Sequence, residues 1–344
     1  MIKAAIIGAT GYSGAVLAAI LAHHKNVEIV SLVSKSYCGQ LFSDIYKNFK
    51  GVLDIELETE NIEEISKKAD VIFLALPHGI ASAKINEDIL NNTKVIDLGA
   101  DFRLNNKETY EKWYKTEHFG QNLLNEAVYG LPEWNFEKIK HARLVANPGC
   151  YATASILAVA PLLKEGIIYP DEIIIDAKSG VTGAGRGLNI DTLFCECNET
   201  IKPYKVASHR HTPEIEQILG DISKQNVLIN FTPHLIPTNR GILASVYLKP
   251  NKDFELNDIK EIYKKYYKDK PFIRLLDEEA QTRWTKGTNY CDISIFKDTR
   301  TKRIMVFSAI DNLYKGASGQ AVQNMNIMFD LNEKTALQNI AIFP

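Results

Sequence analysis

The sequence predicts an α/β protein, a doubly wound parallel sheet joined to a second domain with a mixed sheet, and three observations carry that prediction. The chain opens with a short apolar strand, a glycine-rich turn and a helix. Strands then alternate with helical runs through the first 150 residues, as in a parallel sheet with helices on both faces. From about Cys150 the apolar runs lengthen and the alternation lapses, which reads as a mixed sheet. The domains are drawn at 1–149, completed by a C-terminal helix 312–344, and at 150–311.

Ile2–Ile7 forms the first strand, Gly8-Ala9-Thr10-Gly11-Tyr12-Ser13-Gly14 the turn, and Ala15–Ala22 the helix. The glycines let backbone approach a pyrophosphate and the helix N-terminus favours its charge, so the turn reads as a dinucleotide site. The spacing is GxxGxxG and not GxGxxG, so the reading rests on the strand-turn-helix context. Val27–Val33 is the next strand. An NAD enzyme places an acid at its end to hold the ribose 2′-hydroxyl. This chain has Ser34-Lys35-Ser36, two hydroxyls and a cation, which suit the 2′-phosphate of NADP.

Asp70–Leu76 is a strand ending at Pro77-His78-Gly79, a helix is expected to run to Leu90, and Lys94–Leu98 is the following strand. The loops after Leu76 and Leu98 leave the carboxyl ends of strands, where open α/β sheets bind ligands, so Leu76 and Pro77 join the cofactor candidates. Arg103, in Asp97-Leu-Gly99-Ala-Asp101-Phe-Arg103, suits bidentate recognition of a carboxylate or phosphate. For Asp101, capping or ion pairing fits as well as ligand contact.

Val145-Ala-Asn147-Pro148-Gly149-Cys150-Tyr-Ala-Thr153 takes a short strand into a helical run with one cysteine at the junction. A helix N-terminus favours the thiolate, and the Pro-Gly turn strips bulk from the approach to sulfur, so Cys150 is a candidate nucleophile, with Asn147 beside it. A small buried apolar cysteine is the other reading.

The second domain is expected to hold strands at Glu172–Ala177, Val227–Phe231, Ile242–Leu248, Cys291–Phe296 and Ile304–Ala309, with a last helix from Gly316 to Phe329. Asn251–Lys270 is charged but helical in pattern. Ser179-Gly180-Val-Thr-Gly183-Ala-Gly185-Arg186 is a glycine- and hydroxyl-rich loop whose N–H groups suit an anion. His209-Arg210-His211-Thr-Pro213-Glu214 gathers two imidazoles and a guanidinium at a helix start. If extended, it puts both histidines on one face, one as acid/base and the other, or Glu214, orienting it. A polar surface loop is the alternative. Asn312, opening the stretch to Gln320, is placed to bond the cofactor carboxamide, and Asp311 to cap or pair.

Composition bounds the rest. With 344 residues, 45% of them hydrophobic, and a net charge of −2, the chain supports real cores and argues against a nucleic-acid or membrane surface. No apolar run approaches the roughly 18 residues that span a bilayer, and the chain enters its first strand with no signal peptide, so a cytoplasmic location is expected. Cys38, Cys150, Cys195, Cys197 and Cys291 are odd in number and scattered, no disulfide framework. Cys195-Glu-Cys197 lacks a second pair, and no metal is expected. His78 and His234 are lone histidines in Pro-flanked loops with structural roles.

Together Gly8–Gly14, Leu76-Pro-His-Gly79, Asp101-Phe-Arg103, Tyr129-Gly-Leu-Pro-Glu133, Asn147–Thr153, Ser179–Arg186, His209–Glu214, Thr232-Pro-His-Leu-Ile-Pro237 and Asp311–Asn324 resemble the N-acetyl-γ-glutamyl-phosphate reductases of the longer-chain type, over nearly the whole chain. The resemblance implies a fold like that of glyceraldehyde-3-phosphate and aspartate-semialdehyde dehydrogenases. It also implies an NADPH-dependent step of arginine biosynthesis on a small acyl phosphate, and a homo-oligomer, tetramer or dimer. It carries the nucleophile onto Cys150 and the acid/base onto His209. Arg103, Asn147, Arg186 and Arg210 stand as substrate candidates and Ser179, Gly180 and Asn312 as cofactor candidates. The stretch Arg283–Asp292 departs from the family in detail while keeping its character.

Three other readings compete. Short-chain dehydrogenases share the Gly-Ala-Thr-Gly start but need a Tyr-x-x-x-Lys pair, present here only at Tyr46/Lys50 and Tyr266/Lys270, neither well placed. A non-catalytic NADP-binding redox sensor has no need of His209 beside a thiol. The sister reductase acting on a carrier-bound aminoadipyl phosphate in lysine biosynthesis differs only in substrate.

Overall fold

The computed structural model describes residues 1–342. The chain divides into two compact units, Met1–Pro148 with Ala317–Gln338, and Gly149–Gly316 with the segment from Asn339 onward. The breaks fall at Pro148/Gly149 and Gly316/Ala317, so the segment 312–344, expected to complete the first domain, is shared between the units.

The first unit holds β1 (Ile2–Ile7), β2 (Val27–Val33), β3 (Val71–Leu74), β4 (Lys94–Asp97), β5 (Val128–Tyr129) and β6 (Leu144–Ala146). They form one parallel sheet in the order β2-β1-β3-β4-β6-β5. Ala4–Ile7 and Val71–Leu74 are buried on both faces, which is why these strands read as continuous apolar runs. The chain order reverses between β1 and β3, the switch point where open sheets place ligands, and the glycine turn leaves β1 there. The helix expected to reach Leu90 is instead two, Ala81–Lys84 and Glu87–Asn92, because the Asn86 side chain accepts from Ile89 N and starts a new helix. The last helix begins at Gly319 and not at Gly316, after a π turn at Tyr314–Ser318. Its buried amides are partnered, Gln320 Nε2 and Asn324 Nδ2 both donating to Gly130 O.

The second unit contains β7 (Ile168–Gly180), β8 (Lys202–Pro203), β9 (Ile229–Ile236), β10 (Ile242–Pro250), β11 (Ile273–Leu276), β12 (Cys291–Lys297) and β13 (Ile304–Ile310). Their order is β11-β12-β13-β10-β7-β9-β8, antiparallel except for the β11/β12 and β7/β9 pairs. β11 was not foreseen, and β7 and β9 extend past their expected ends. The Cys150–Lys164 helix is the core element, with every residue from Tyr151 to Leu163 buried. Pro161 has no N–H for the carbonyl of Leu157, and the Tyr267 hydroxyl donates to that oxygen instead at 2.8 Å. Tyr267 comes from the Leu256–Tyr267 helix, which lies within the expected charged helical stretch. Ile173, Ile175 and Ala177 of β7 and Ala244, Val246 and Leu248 of β10 form the buried side of the sheet, while Ile174 and Tyr247 face the other way. No helix among the described residues is long and apolar enough to cross a membrane.

Candidate active site

Each glycine of the nucleotide turn has its own reason. Gly8 has φ +84°, and a Cβ there would lie 2.4 Å from Ala75 O, just beyond β3. A Cβ on Gly14 would lie 2.3 Å from Gly8 O, so the Tyr12–Ala22 helix can seat against the turn only without a side chain. At Gly11 a Cβ would make ordinary contact, 3.5 Å from Gly8 O. The packing of the protein itself does not require Gly11, and its bare backbone suits close approach by a ligand. Gly11 is also the N-cap and gives the helix no side-chain cap, which leaves its opening N–H groups, Tyr12 and Ser13 among them, for an anion. These features fit a dinucleotide pyrophosphate.

The candidate 2′-phosphate residues separate. Ser34 is buried, its hydroxyl 2.8 Å from Thr10 Oγ1, so it ties β2 to the glycine turn. Lys35 and Ser36 are exposed, as is Pro77, and Leu76 is half-buried.

Within the same unit Arg103 is buried, its Nε donating to Asn147 O and its Nη2 to Leu98 O, both at 2.8 Å. Asn147 is fully buried, with Nδ2 on Ala317 O and Oδ1 accepting from Asn324 Nδ2. Both residues therefore shape the turn ahead of the cysteine, and the Asn147 side chain is a brace where a substrate contact was expected. The Asp101 carboxylate accepts from Gly79 N, Ser82 N and the Tyr110 hydroxyl, the capping role that the sequence allowed.

Cys150 is the first residue of its helix, half-buried, behind a Gly149 N-cap that offers no side-chain cap. Two glycines make room around it. A Cβ on Gly149 would lie 2.5 Å from His211 Nε2, and one on Gly316 2.8 Å from Cys150 Cβ. Gly149 N donates to Glu214 Oε1 at 2.8 Å, and Glu214 is fully buried. The second unit thus brings Cys150, His211 and Glu214 together around one residue.

The segment His209–His211 is not extended, as had been expected: Arg210 has helical φ and ψ and His211 starts the His211–Ser223 helix. The two imidazoles meet edge to face instead, with ring centres 4.7 Å apart. Tyr151, Tyr204 and Phe231 also set their rings edge-on to His209 at 5.6, 5.6 and 5.3 Å. The Tyr204 hydroxyl donates to the Tyr151 hydroxyl, which donates to His234 O. Burial in this aromatic cage, with His211, Lys205 and Arg210 nearby, pulls the His209 pKa down to about 2. Burial likewise pushes the Tyr204 phenol up to about 12 and Tyr151 further up. His211 N donates to His209 Nδ1 at 3.1 Å, so neutral His209 carries its proton on Nε2.

The remaining candidates also lie in the second unit. Ser179 is buried with its hydroxyl on Gly180 O, and a Cβ on Gly180 would strike Asn239 and Arg240 backbone at 2.8 Å. Asn312 accepts from Gly241 N and donates to Thr182 Oγ1, which makes it a buried brace where a carboxamide contact was expected. Arg186 is exposed and Arg210 half-buried. Arg240, which sequence reasoning missed, grips the fully buried Asp311 through Nε and Nη2. Tyr151 was within reach of sequence reasoning because it adjoins Cys150. Tyr204, Phe231 and Gly316 were not, since only the fold assembles them. Among the described residues no group of three His, Cys, Asp or Glu side chains is placed to hold a metal.

This architecture is that of a semialdehyde dehydrogenase. Residues 3–142 match the family described as semialdehyde dehydrogenase, NAD binding domain, and residues 150–312 the semialdehyde dehydrogenase, dimerisation domain. Aspartate semialdehyde dehydrogenase II from Vibrio cholerae superposes with a TM-score of 0.72 at 17% identity, over 96% of this chain and 98% of that one. An aspartate semialdehyde dehydrogenase from Candida albicans, solved with NADP, gives 0.70 at 17% over the same shares. These likenesses establish the fold. An N-acetyl-gamma-glutamyl-phosphate reductase of Lachnoclostridium phytofermentans is 51% identical over 100% of both chains, and one of Campylobacter jejuni is 52% identical over 99% of both. The chain belongs to the N-acetyl-gamma-glutamyl-phosphate reductase family.

Proposed function

We propose that the chain reduces N-acetyl-L-glutamyl 5-phosphate to N-acetyl-L-glutamate 5-semialdehyde and phosphate with NADPH, in arginine biosynthesis, through a thioester on Cys150. The observation that carries this is the uncapped helix start at Cys150, with Gly149 and Gly316 clearing its surroundings and His211 and His209 beside them.

The helix N-terminus favours the thiolate, which attacks the acyl carbon and expels phosphate; the phosphate takes up the one proton that the reaction consumes. NADPH, when bound, supplies the hydride that reduces the thioester carbon. Gly8, Gly11 and Gly14 with Tyr12 and Ser13 would hold its pyrophosphate, Lys35 and Ser36 its 2′-phosphate, and Leu76 and Pro77 would flank it. The oxyanion of the thiohemiacetal then collapses to aldehyde and thiolate, a step that needs hydrogen bonds and no proton. The N–H of Cys150 and Nε2–H of His209 donate them. His209 acts here as a neutral donor, Glu214 holds the Gly149 backbone, and His211 orients His209. Arg186 and Arg210, neither of them buried, take the anionic ends of the substrate. A thioester is also the better hydride acceptor, the reason for a cysteine over a serine.

We further propose a homo-oligomer, dimer or tetramer, in the cytoplasm. The half-exposed apolar face of the second sheet, with Ile174 43% exposed, supports assembly, and the absence of disulfides among the five cysteines supports the location. The test is turnover of NADPH with N-acetylglutamyl phosphate beside a carrier-bound aminoadipyl phosphate. Preference for the first by orders of magnitude is expected; preference for the second moves the enzyme to the lysine pathway, and no turnover with either removes the catalytic reading.

A further inference from the structure

The stretch from Leu188 to Val206 concentrates exposed apolar surface. Leu188 is 100% exposed, Ile190 73%, Leu193 50%, Phe194 76%, Ile201 68% and Val206 56%. Elsewhere among the described residues such side chains are scattered singly or in pairs. The stretch has a defined shape, with helical turns at Ile190–Thr192 and Phe194–Cys197, an Asn189 side-chain cap on Asp191 N, and a 2.6 Å ion pair between Lys202 and Asp191. That shape buries none of the six. Glu199 and Lys205 within it and Ala207 just past it, none of them glycine, hold left-handed φ of 58°, 46° and 52°, a strain that persists only where the surroundings determine it. Ordered backbone presenting six apolar side chains to water is a surface that something covers.

The occupant that fits is a second copy of this chain. The stretch lies inside residues 150–312, the part that matches the dimerisation domain of the family. The stretch carries Asp191, Glu196 and Glu199 against Lys202 and Lys205, a mixed balance that offers no basic field for a nucleic acid or an anionic lipid surface. An apolar patch of this kind can meet its own symmetry mate about a two-fold axis. The stretch also ends on the candidate catalytic centre. Tyr204 presents its ring edge to His209 and donates its hydroxyl to Tyr151, and the two strained residues Lys205 and Ala207 lie between it and His209.

We propose that residues 188–206 dock on a second copy of this chain, and that the docked stretch positions Tyr204 and through it His209, so that the competent site belongs to the assembly. The proposal rests on the reading of this domain as an assembly domain and adds which segment docks and what docking does to the site.

The test pairs Leu188→Ser/Phe194→Ser with the milder Ile190→Ser. It reads mass by sedimentation velocity, NADPH affinity by fluorescence, kcat and KM, and the rate of Cys150 alkylation by iodoacetamide. Expected are a smaller assembly for the double variant, kcat lower by about tenfold or more with KM little changed, and unchanged NADPH affinity. Unmodified chain diluted until it dissociates should lose specific activity in step. An unchanged mass in both variants overturns the docking. A smaller assembly with unchanged kcat per chain, or full activity in the diluted monomer, overturns the coupling. Should the chain fail to turn over N-acetylglutamyl phosphate at all, the function proposed above falls, while mass and alkylation rate still decide this inference: altered alkylation upholds the coupling and unaltered alkylation sinks it.

Discussion

The backbone N–H of His211 donates to Nδ1 of His209, and this contact, more than the spacing of the two histidines, sets what His209 can do. With Nδ1 occupied as an acceptor and the pKa held near about 2 by burial, His209 is a neutral Nε2–H donor across the working pH range.

His209→Ala, which removes the Nε2–H donor, should lower kcat by about 10² to 10³ while leaving NADPH affinity unchanged. The shape of the kcat/KM profile between pH 5 and 9 should survive the substitution, because a group titrating near about 2 contributes no inflection in that window. An inflection near the ordinary histidine value that vanishes in the variant would show His209 cycling as a base.

The glycines around the two loops predict opposite losses. Gly149→Ala forces a Cβ to 2.5 Å from the His211 ring and Gly316→Ala one to 2.8 Å from Cys150 Cβ, so each should cost about 1–3 kcal/mol of stability and depress kcat with NADPH affinity intact. Gly11→Ala meets no such clash and should keep the fold while weakening NADPH. Chemical denaturation and cofactor titration of the three variants separate these outcomes.

Cofactor preference should rest on Lys35. The NADPH bias is expected at about ten- to a thousandfold, or roughly 1.4 to 4 kcal/mol, and Lys35→Ala should remove most of it. Ser34→Asp, which would put a charge in the buried site where Ser34 bonds Thr10, should show first as lost stability. Steady-state kinetics with NADPH and NADH check both; equal efficiencies in the unmodified enzyme would contradict the assignment.

Burial, aided by the neighbouring Asp101, raises the Asp97 pKa to about 7. Its folded value lies above the unfolded one, so its contribution to stability is fully present below about pH 4 and is lost as pH rises through about 7. Asp97→Asn should flatten the pH dependence of the melting temperature between about pH 4 and 7. A variant that loses stability with pH as the unmodified chain does would place the titration elsewhere.

The parallel sheet was legible because strands buried on both faces leave uninterrupted apolar runs, and the glycine turn because three separate backbone constraints fall on one short segment. The position of Cys150 at a helix start was legible for the same reason, a turn and an apolar helical run in adjacent residues. What escaped were roles set by distant partners. Ser34, Asn147 and Asn312 read from sequence as ligand residues, and the structural bonds that the fold gives them, to Thr10, Asn324 and Gly241, are not visible there. The cage around His209 draws Tyr204 and Phe231 from other segments, and no local periodicity reports that.

The covalent step at Cys150 is the centre of the mechanism, and intact-protein and peptide mass spectrometry after mixing with N-acetylglutamyl phosphate in the absence of NADPH tests it most directly. The mass gain of one N-acetylglutamyl group is predicted, hydroxylamine-labile and confined to the peptide holding Cys150, and absent from Cys150→Ala. Turnover by an enzyme that shows no acyl adduct, or one acylated at Cys38, Cys195, Cys197 or Cys291 instead, would contradict it.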